Sequence, residues 1–171
     1  MIEVPEIRKM EKRDGEKVLQ IYAESIEEGF YTFAVKKPTW EEWDAAHIKE
    51  HRLVADYNGE IAGFIALGRL YRHAYFSGVA ELSVYVEKKY RRRRIGLALL
   101  KALQTDAADG ACWVLHSYIF PDNLPSIRLH EKSGFCQVGY HRNIGKKDGR
   151  FKDVLVYEYG LERKGELPCR N

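Results

Sequence analysis

The segment of the chain with the highest density of positive charge reads Val84-Tyr85-Val86-Glu87-Lys88-Lys89-Tyr90-Arg91-Arg92-Arg93-Arg94-Ile95-Gly96-Leu97-Ala98. Before this loop, Val79 to Val86 alternates as a strand does, and after it Ile95 to Ala107 carries apolar residues at helical spacing. A helix N-terminus presents unpaired amides and the positive end of the helix dipole, so it binds phosphate well. The join therefore indicates a phosphate site, in which Gly96 lets the backbone approach the anion closely.

The four consecutive arginines, Arg91 to Arg94, admit other interpretations. Runs of charge usually form solvated surface, and a nucleic acid is another candidate partner. The formal charge of the chain is only +3, since 28 basic residues are nearly balanced by 25 acidic ones, and the aromatic patterns of single-strand RNA binders are absent. We therefore expect no nucleic-acid partner.

The sequence before this loop predicts one strand, two helices and one hairpin. Asn58-Gly59 lies between two apolar runs and supplies the positive φ angles of a type I′ turn. Thr39, followed three residues later by Glu42, predicts a capping box. The predicted elements are a strand from Glu6 to Met10, a helix that begins behind Asp14 as its cap, a helix from Thr39 through Ile48, and strands from Leu53 to Tyr57 and from Glu60 to Leu67.

The chain after the loop mixes strands and helices without strict alternation. We expect a strand from Trp113 to Phe120, a helix from Ser126 to Lys132 that Gly134 closes, and a strand from Val154 to Tyr159. This order favours an α/β fold with one mixed sheet flanked by helices over a doubly wound parallel sheet. We expect a single domain over residues 1–171, with its core at about 6–160 and a polar tail at 162–171.

Composition indicates a soluble, cytoplasmic protein. No apolar stretch approaches the roughly 20 residues of a membrane helix, so no membrane partner is expected. The cysteines Cys112, Cys136 and Cys169 lie far apart without a C-x-x-C pair, and we interpret them as free thiols in a reducing compartment. No histidine stands at metal-ligand spacing from them, so no metal is expected.

Two separated motifs resemble the GCN5-related N-acetyltransferase (GNAT) family. The basic loop resembles the R-x-x-G-x-G/A pyrophosphate loop, with Arg91, Gly96 and Ala98 in the expected order and Arg94 in place of the first glycine. The segment from Asp122 to Phe135, D-N-L-P-S-I-R-L-H-E-K-S-G-F, is similar to the family pattern N-x-x-S-x-x-L-(Y/H)-E-K-x-G-F. The resemblance implies the GNAT fold, with a mixed central sheet of about seven strands and helices on both faces.

The resemblance covers about residues 6–160 and is closest to the phosphinothricin and methionine sulfoximine acetyltransferase branch. Its marks are Tyr31-Thr32-Phe33, Arg72-His73-Ala74-Tyr75, Glu81 to Val86, and Gly149 to Asp153. It implies an acetyl-CoA-dependent N-acetyltransferase acting on the primary amine of a small amino-acid-like substrate by direct attack on the thioester, and it implies a homodimer. The alternatives are a protein or peptide N-acetyltransferase and a non-catalytic CoA-binding module.

The resemblance also assigns roles to residues. Glu81 is the candidate general base, and by a period of two it shares a strand face with Ser83 and Tyr85; its alternative is an ordinary strand carboxylate. His130 stands where many relatives have a tyrosine that protonates the departing thiolate, and Tyr85 is the other candidate acid. The alternative for His130 is a structural histidine, and that for Asn123 is a helix cap.

The remaining candidates contact acetyl-CoA or the amine substrate. The candidates for cofactor binding are Leu82, Ser83, Val84, Tyr85, Val86, Arg91, Arg92, Arg93, Arg94, Ile95, Gly96, Leu97, Ala98, Asn123 and Ser126. The candidates for substrate binding are Phe33, Arg72, Tyr75, Glu81 and Arg150. Arginine can hold a substrate carboxylate through two parallel hydrogen bonds, so Arg72 is the expected carboxylate contact.

Overall fold

A seven-stranded mixed sheet forms the centre of the computed structural model, which describes residues 4–109 and 111–161. The strand order is β1-β2-β3-β4-β5-β7-β6, and all neighbours are antiparallel except β4 and β5. The elements in chain order are β1 Glu6–Lys9, α1 Gly15–Glu28, α2 Trp40–Ala46, β2 Leu53–Tyr57, β3 Glu60–Arg69, β4 Val79–Val86, α3 Ile95–Asp106, β5 Val114–Ile119, α4 Leu124–Lys132, β6 Cys136–Lys147 and β7 Arg150–Gly160.

Helices cover both faces of the sheet, as the sequence predicted. On one face, Val18 and Ile21 of α1 and Trp43 of α2 pack on β2 and β3. On the other face, the apolar side of α3, with Leu99 and Leu103, packs on the central strands. The two layers bury the alternate residues of β4 in opposite directions, which places Glu81, Ser83 and Tyr85 on the α1 side.

Two local signals upstream of β4, the capping box and the hairpin turn, are confirmed. The Glu42 amide donates to Thr39 Oγ1 at 3.2 Å and the Thr39 amide donates to Glu42 Oε2 at 2.8 Å, although α2 ends at Ala46 and not at Ile48. Asn58 and Gly59 have φ angles of 55° and 85°, as the predicted hairpin turn requires.

Asp14 does not act as the side-chain cap of α1, and that prediction is wrong. Its carboxylate is buried and accepts hydrogen bonds from the Arg8 guanidinium at 2.8 and 2.9 Å and from the Glu11 amide at 2.8 Å. The ion pair with Arg8 takes the oxygens that a cap would offer to the helix, so Asp14 ties β1 to the start of α1 instead.

The far edge of the sheet was largely missed from sequence. The strand β6 has no predicted counterpart, and β7 begins at Arg150, four residues before the predicted Val154. Register shifts at Gln137/Gly139 and His141/Gly145 interrupt the pairing of β6 with β7, so an alternating pattern does not develop. Most β6 side chains are exposed on this edge strand, which removes the apolar signal as well.

The prediction that the cysteines are free thiols holds at one position and fails at another. Cys112 is free and buried, as expected, but Cys136 is disulfide-bonded, so the prediction of a free thiol is wrong there. Cys169 and the predicted tail at 162–171 lie outside the described residues, and the cytoplasmic location stays a prediction.

None of the helices in the described part of the chain is both long and apolar enough to cross a membrane.

Candidate active site

A notch opens in the middle of the sheet because β4 and β5 pair over only part of their length. Their parallel register holds Val79 with Val114, Ala80 with Leu115 and Glu81 with His116. Beyond Glu81 and His116 the two strands continue without pairing each other. We call this opening the β4–β5 notch; its backbone N–H and C=O groups on the facing edges are left for another partner.

A cavity of about 900 Å³ fills the β4–β5 notch and extends to the start of α3 and along α4. Many predicted site residues line it together: Phe33, Glu81, Leu82, Ser83, Val84, Tyr85, Val86, Arg91, Arg92, Arg94, Ile95, Gly96, Leu97, Asn123, Ser126 and His130. Five predicted residues do not line it: Arg93, Ala98, Arg72, Tyr75 and Arg150. The binding roles assigned to all of these residues stay predictions.

Glu81 lies at the apex of the notch, at the last pair that joins β4 to β5. It is partly buried, and within residues 4–109 and 111–161 its carboxylate has no hydrogen bond or ion pair. Burial raises the pKa of the Glu81 carboxyl, and nearby His116 partly opposes that shift. Tyr85, two residues along the same face, packs edge-on against Tyr22 of α1, and burial raises its pKa.

His116 forms a row of titratable side chains with Glu81 and Glu158 across three neighbouring strands. Its Nε2 lies 2.9 Å from Glu158 Oε2, while its Nδ1 is buried and has no hydrogen-bond partner among the residues that the structure describes. His116 is a site residue that the sequence did not predict. The signal that could have found it is the parallel alignment of β5 beside Glu81, which a strand prediction alone does not supply.

His130 sits on the α4 side of the cavity and is committed to protein partners. Its side chain is 2% exposed, its Nδ1 lies 2.8 Å from the Ser126 carbonyl oxygen, and its Nε2 lies 2.8 Å from Ser117 Oγ. A carbonyl oxygen only accepts, so Nδ1 carries the proton and Nε2 accepts from the Ser117 hydroxyl. Burial lowers the pKa of His130, against the Ser126 hydrogen bond, so the ring is neutral at neutral pH. Neither nitrogen is then free to donate to a thiolate, and the acid role stays a prediction.

The basic loop contains two arginines in the left-handed region of backbone space. Arg92 and Arg94 have φ angles of 62° and 63°, which glycine adopts with the least strain. Arg94, at the position where the family pattern has a glycine, therefore adopts a backbone conformation that glycine favours. Both side chains are exposed and line the cavity beside the first turn of α3.

Arg91, in contrast, has protein partners. Its guanidinium donates to both carboxylate oxygens of Glu28, at 2.8 and 2.5 Å, and its Nε donates to the Val86 carbonyl at 3.1 Å. It also lies over the Tyr31 ring. Arg91 thus joins the end of α1 to the loop, while Arg93 lies over the rings of Tyr57 and Tyr90, outside the cavity wall.

The first turn of α3 presents backbone amides to the cavity. The first hydrogen bond within the helix runs from the Ala98 amide to the Arg94 carbonyl at 3.0 Å, so the amides of Ile95, Gly96 and Leu97 precede it. Packing gives a further reason for glycine at position 96, since a Cβ there would lie 3.0 Å from a methyl group of Leu129. The glycine therefore allows α4 to pack closely on α3, in addition to any approach of an anion.

Asn123 begins α4 and acts as its cap. Its Oδ1 accepts a hydrogen bond from the Ser126 amide at 3.2 Å, which confirms the capping alternative and moves the helix start to Leu124.

The predicted substrate residues fall into two groups. Phe33 lines the cavity and packs edge-on against Phe120, at 4.8 Å between ring centroids. Arg72, Tyr75 and Arg150 are exposed.

The β6–β7 hairpin holds the segment that carries Phe33. The buried ammonium group of Lys147 donates to the Thr32 carbonyl at 2.5 Å, and Gly145 lies against the Phe33 ring. A side chain at Gly145 would begin 2.7 Å from that ring, so the close approach requires glycine. The missed strand β6 therefore positions one wall of the cavity.

Within the described ranges, no three His, Cys, Asp or Glu side chains are grouped so that they could hold a metal ion.

Comparisons with known proteins agree with this geometry. The model of the acetyltransferase (GNAT) family matches residues 15–135. The phosphinothricin N-acetyltransferase of Streptomyces viridochromogenes is 30% identical over 169 residues, covering 96% of this chain and 90% of that protein. The L-methionine sulfoximine/L-methionine sulfone acetyltransferase of Pseudomonas aeruginosa is 31% identical over 116 residues, covering 68% of this chain and 67% of that protein.

A solved structure shows the same fold. The phosphinothricin acetyltransferase from Sinorhizobium meliloti in complex with acetyl-CoA has a TM-score of 0.85 at 23% identity, covering 99% of this chain and 95% of that chain. The predicted fold class and enzyme class are therefore confirmed. Since the family model matches more than half of the residues, the chain belongs to the acetyltransferase (GNAT) family.

Proposed function

We propose that the protein transfers the acetyl group of acetyl-CoA to the α-amine of a free amino acid or a close analogue, by direct attack of the neutral amine on the thioester. The observation that carries this proposal is the Glu81 carboxylate, partly buried at the apex of the β4–β5 notch and without a partner among the described residues. A carboxylate left in this state is available to a ligand.

Glu81 is proposed as the general base. An amine at neutral pH is mostly protonated, and only its neutral form can attack a thioester, so a group near the amine must accept its proton. Burial moves the pKa of Glu81 upward, closer to the working pH, which matches a base better to this task. The base acts directly on the amine or through one water.

Two features of the chain fit acetyl-CoA, which supplies the acetyl thioester. The unpaired edges of the β4–β5 notch can bond an extended amide chain such as the pantetheine arm, as an added strand does. The first-turn amides of α3, with Arg92 and Arg94 beside them, suit the pyrophosphate. Tyr85 is retained as a candidate donor to the thiolate, because burial raises its pKa and keeps its hydroxyl protonated.

The substrate class is proposed from the relatives and from the shape of the cavity. The two relatives named above act on phosphinothricin, methionine sulfoximine and methionine sulfone. In this chain Phe33, Phe120 and Tyr118 provide an aromatic wall near Glu81. Arg72 and Arg150, both exposed, are proposed to grip the carboxylate and the polar head of such a substrate.

A thiol-release assay with acetyl-CoA and a panel of amines tests this function. The panel contains phosphinothricin, methionine sulfoximine, methionine sulfone and the common amino acids, each beside its carboxylate ester, together with peptides and a polyamine. We expect activity with free amino acids or analogues and a higher KM for the esters, because the ester cannot form the ion pair with arginine.

Variants of Arg72 separate the carboxylate contact from the transfer itself. Arg72→Ala should raise the KM for free amino acids far more than Arg72→Lys does, and the difference from wild type should vanish with the esters. Arg13→Ala, which removes another exposed arginine, serves as the control. Acetylation of peptides or the polyamine alone would contradict the small-molecule proposal and leave the acetyltransferase assignment standing.

We also propose that the protein is a homodimer. The β6–β7 edge exposes Val138, Tyr140, Ile144 and Phe151, with between 49% and 60% of each residue accessible. Apolar surface of this kind on an edge strand supports a protein contact. Sedimentation velocity on wild type and on Phe151→Asp checks it: a dimer that the substitution weakens is expected, and a monomeric wild type would refute it.

A further inference from the structure

Ser117 and His130 form a hydrogen-bonded pair inside the cavity, on the opposite side of the sheet from Glu81. Both residues line the cavity and are almost fully buried, at 3% and 2% exposure. Ser117 lies on β5 just past its last pair with β4, so it faces the β4–β5 notch in which the thioester is proposed to lie. The function proposed above gives this pair no task.

The protons of the pair have one consistent arrangement. His130 Nδ1 donates to the Ser126 carbonyl oxygen at 2.8 Å, which leaves Nε2 as an acceptor. The Ser117 hydroxyl, 2.8 Å away, donates to that nitrogen. A hydroxyl, a base that accepts its proton and a third group that orients the base are the parts of an activated nucleophile.

Two other serines of the cavity wall, Ser25 and Ser126, lack this arrangement. Ser25 Oγ donates to the Ile21 carbonyl at 3.3 Å, an ordinary bond within a helix. Ser126 Oγ lies 3.3 Å from His130 Nδ1, the nitrogen that already donates to the Ser126 carbonyl at 2.8 Å, so it has no free base to accept its proton. Ser117 is thus distinguished by its histidine partner.

We propose a second activity for this protein: Ser117 attacks an acetyl thioester with His130 as its base, and the acetylated serine is hydrolysed when no amine is present. The inference rests on the proposed binding of acetyl-CoA in the notch. The chemical class of substrate is an acetyl thioester or another activated acetyl ester, and the products are acetate and the free thiol or alcohol.

The two steps balance without a further reactant except water. In the first step the Ser117 Oγ–C bond forms, the C–S bond breaks, and the hydroxyl proton passes to His130 Nε2 and then to the leaving thiolate. In the second step the bond between the water oxygen and the acetyl carbon forms and the Ser117 Oγ–C bond breaks. His130 takes one proton of the water and returns it to Ser117 Oγ, and the product leaves as acetic acid, which gives its remaining proton to solvent and becomes acetate. The Ser126 carbonyl stabilises the histidine cation of each step through the Nδ1 proton.

Acetylation by p-nitrophenyl acetate provides a direct test, since this activated ester does not need a CoA site. Nitrophenol release from the full-length protein is followed for a burst, and peptide mass spectrometry locates the acetyl group. We expect a burst in wild type with the acetyl group on Ser117. Ser117→Ala and His130→Gln should lose both, while Ser25→Ala should keep both. Thermal unfolding of each variant verifies that it is folded.

Hydrolysis of acetyl-CoA without an amine gives the second measurement. Thiol release in wild type should exceed the buffer rate, and Ser117→Ala should return it to that rate. Wild type without acetyl-Ser117 under either donor, or unchanged hydrolysis in Ser117→Ala, would overturn the inference. Acetyl-Ser117 without acetylation of any amine would refute the proposed function and leave this inference standing; amine acetylation without acetyl-Ser117 would do the reverse.

Discussion

Glu81 and His130 line the same cavity from opposite sides of the sheet, and the protein holds them in opposite ways. Glu81 on β4 has no hydrogen bond within the described residues, whereas both nitrogens of His130 on α4 lie 2.8 Å from a protein partner. Burial favours the neutral form of both groups, because it raises the pKa of the acid and lowers that of the base.

The difference between the two sides lies in their partners. Two groups to which the family resemblance assigns roles are not equally available to a substrate. A desolvated carboxylate without a partner is unstable on its own and favours a ligand that brings a proton or a positive charge. Both nitrogens of His130 are hydrogen-bonded within the protein, so in the proposed second activity His130 acts on a substrate only through Ser117.

The largest effect is expected on the β4 side. Glu81→Gln should lower kcat at neutral pH by roughly 10²-fold or more, because the amide cannot accept the proton of the ammonium group. The affinity for acetyl-CoA should not change, since the notch edges and the start of α3 remain intact. Steady-state kinetics from pH 6 to pH 9 and calorimetry with acetyl-CoA measure the two quantities.

Glu27→Gln is the matched control, because it makes the same change at an exposed position of α1. Its kcat should equal that of wild type. If Glu81→Gln kept near-normal turnover over the whole pH range, the base would be another group or bulk water, and the two sides of the cavity would not differ in the way proposed.

The sequence predicted the part of the molecule where local signals agree with the tertiary fold. The Asn58-Gly59 turn, the Thr39 capping box and the bounds of β4 follow from residue types that act on their neighbours. The family motifs added the loop before α3. The positive φ of Arg94, which stands where the family pattern has a glycine, could not be predicted from the residue type.

Features that depend on distant partners were missed. Aspartate is a residue type that favours the N-cap of a helix, yet the carboxylate of Asp14 accepts hydrogen bonds from Arg8 instead. The strand β6 depends on β7 for its existence, and its irregular register hides it. The hydrogen bond of His130 to Ser117 joins α4 to β5. Its bonds to Ser117 and Ser126 together fix its tautomer, which the motif around His130 does not specify.

A smaller effect, on stability, is expected from the α4 side. His130→Phe removes two hydrogen bonds and leaves the Ser117 hydroxyl and the Ser126 carbonyl without that partner, so it should lower the free energy of unfolding by about 2 kcal/mol. Urea denaturation at pH 7.5 measures it. His73→Phe makes the same change at an exposed position and should cost much less. Equal losses in the two variants would show that the bonds of His130 do not stabilise the fold.

The smallest effect is the pH dependence of stability, in which the two groups have opposite signs. The folded protein raises the pKa of Glu81 above its unfolded value, so the folded state holds the proton longer and stability falls as pH rises above about 4.5. It lowers the pKa of His130, so the unfolded state binds the proton first and stability falls as pH drops below about 6.5.

Glu81→Gln should therefore be more stable than wild type at pH 7, by about 1 kcal/mol, and lose that gain near pH 4. His130→Gln should show a weaker loss of stability than wild type between pH 6.5 and pH 5. Denaturation curves at closely spaced pH values give the slope of the free energy of unfolding against pH for wild type and for each variant. If the two substitutions changed this slope in the same direction, the two sides of the cavity would not hold their groups in opposite ways.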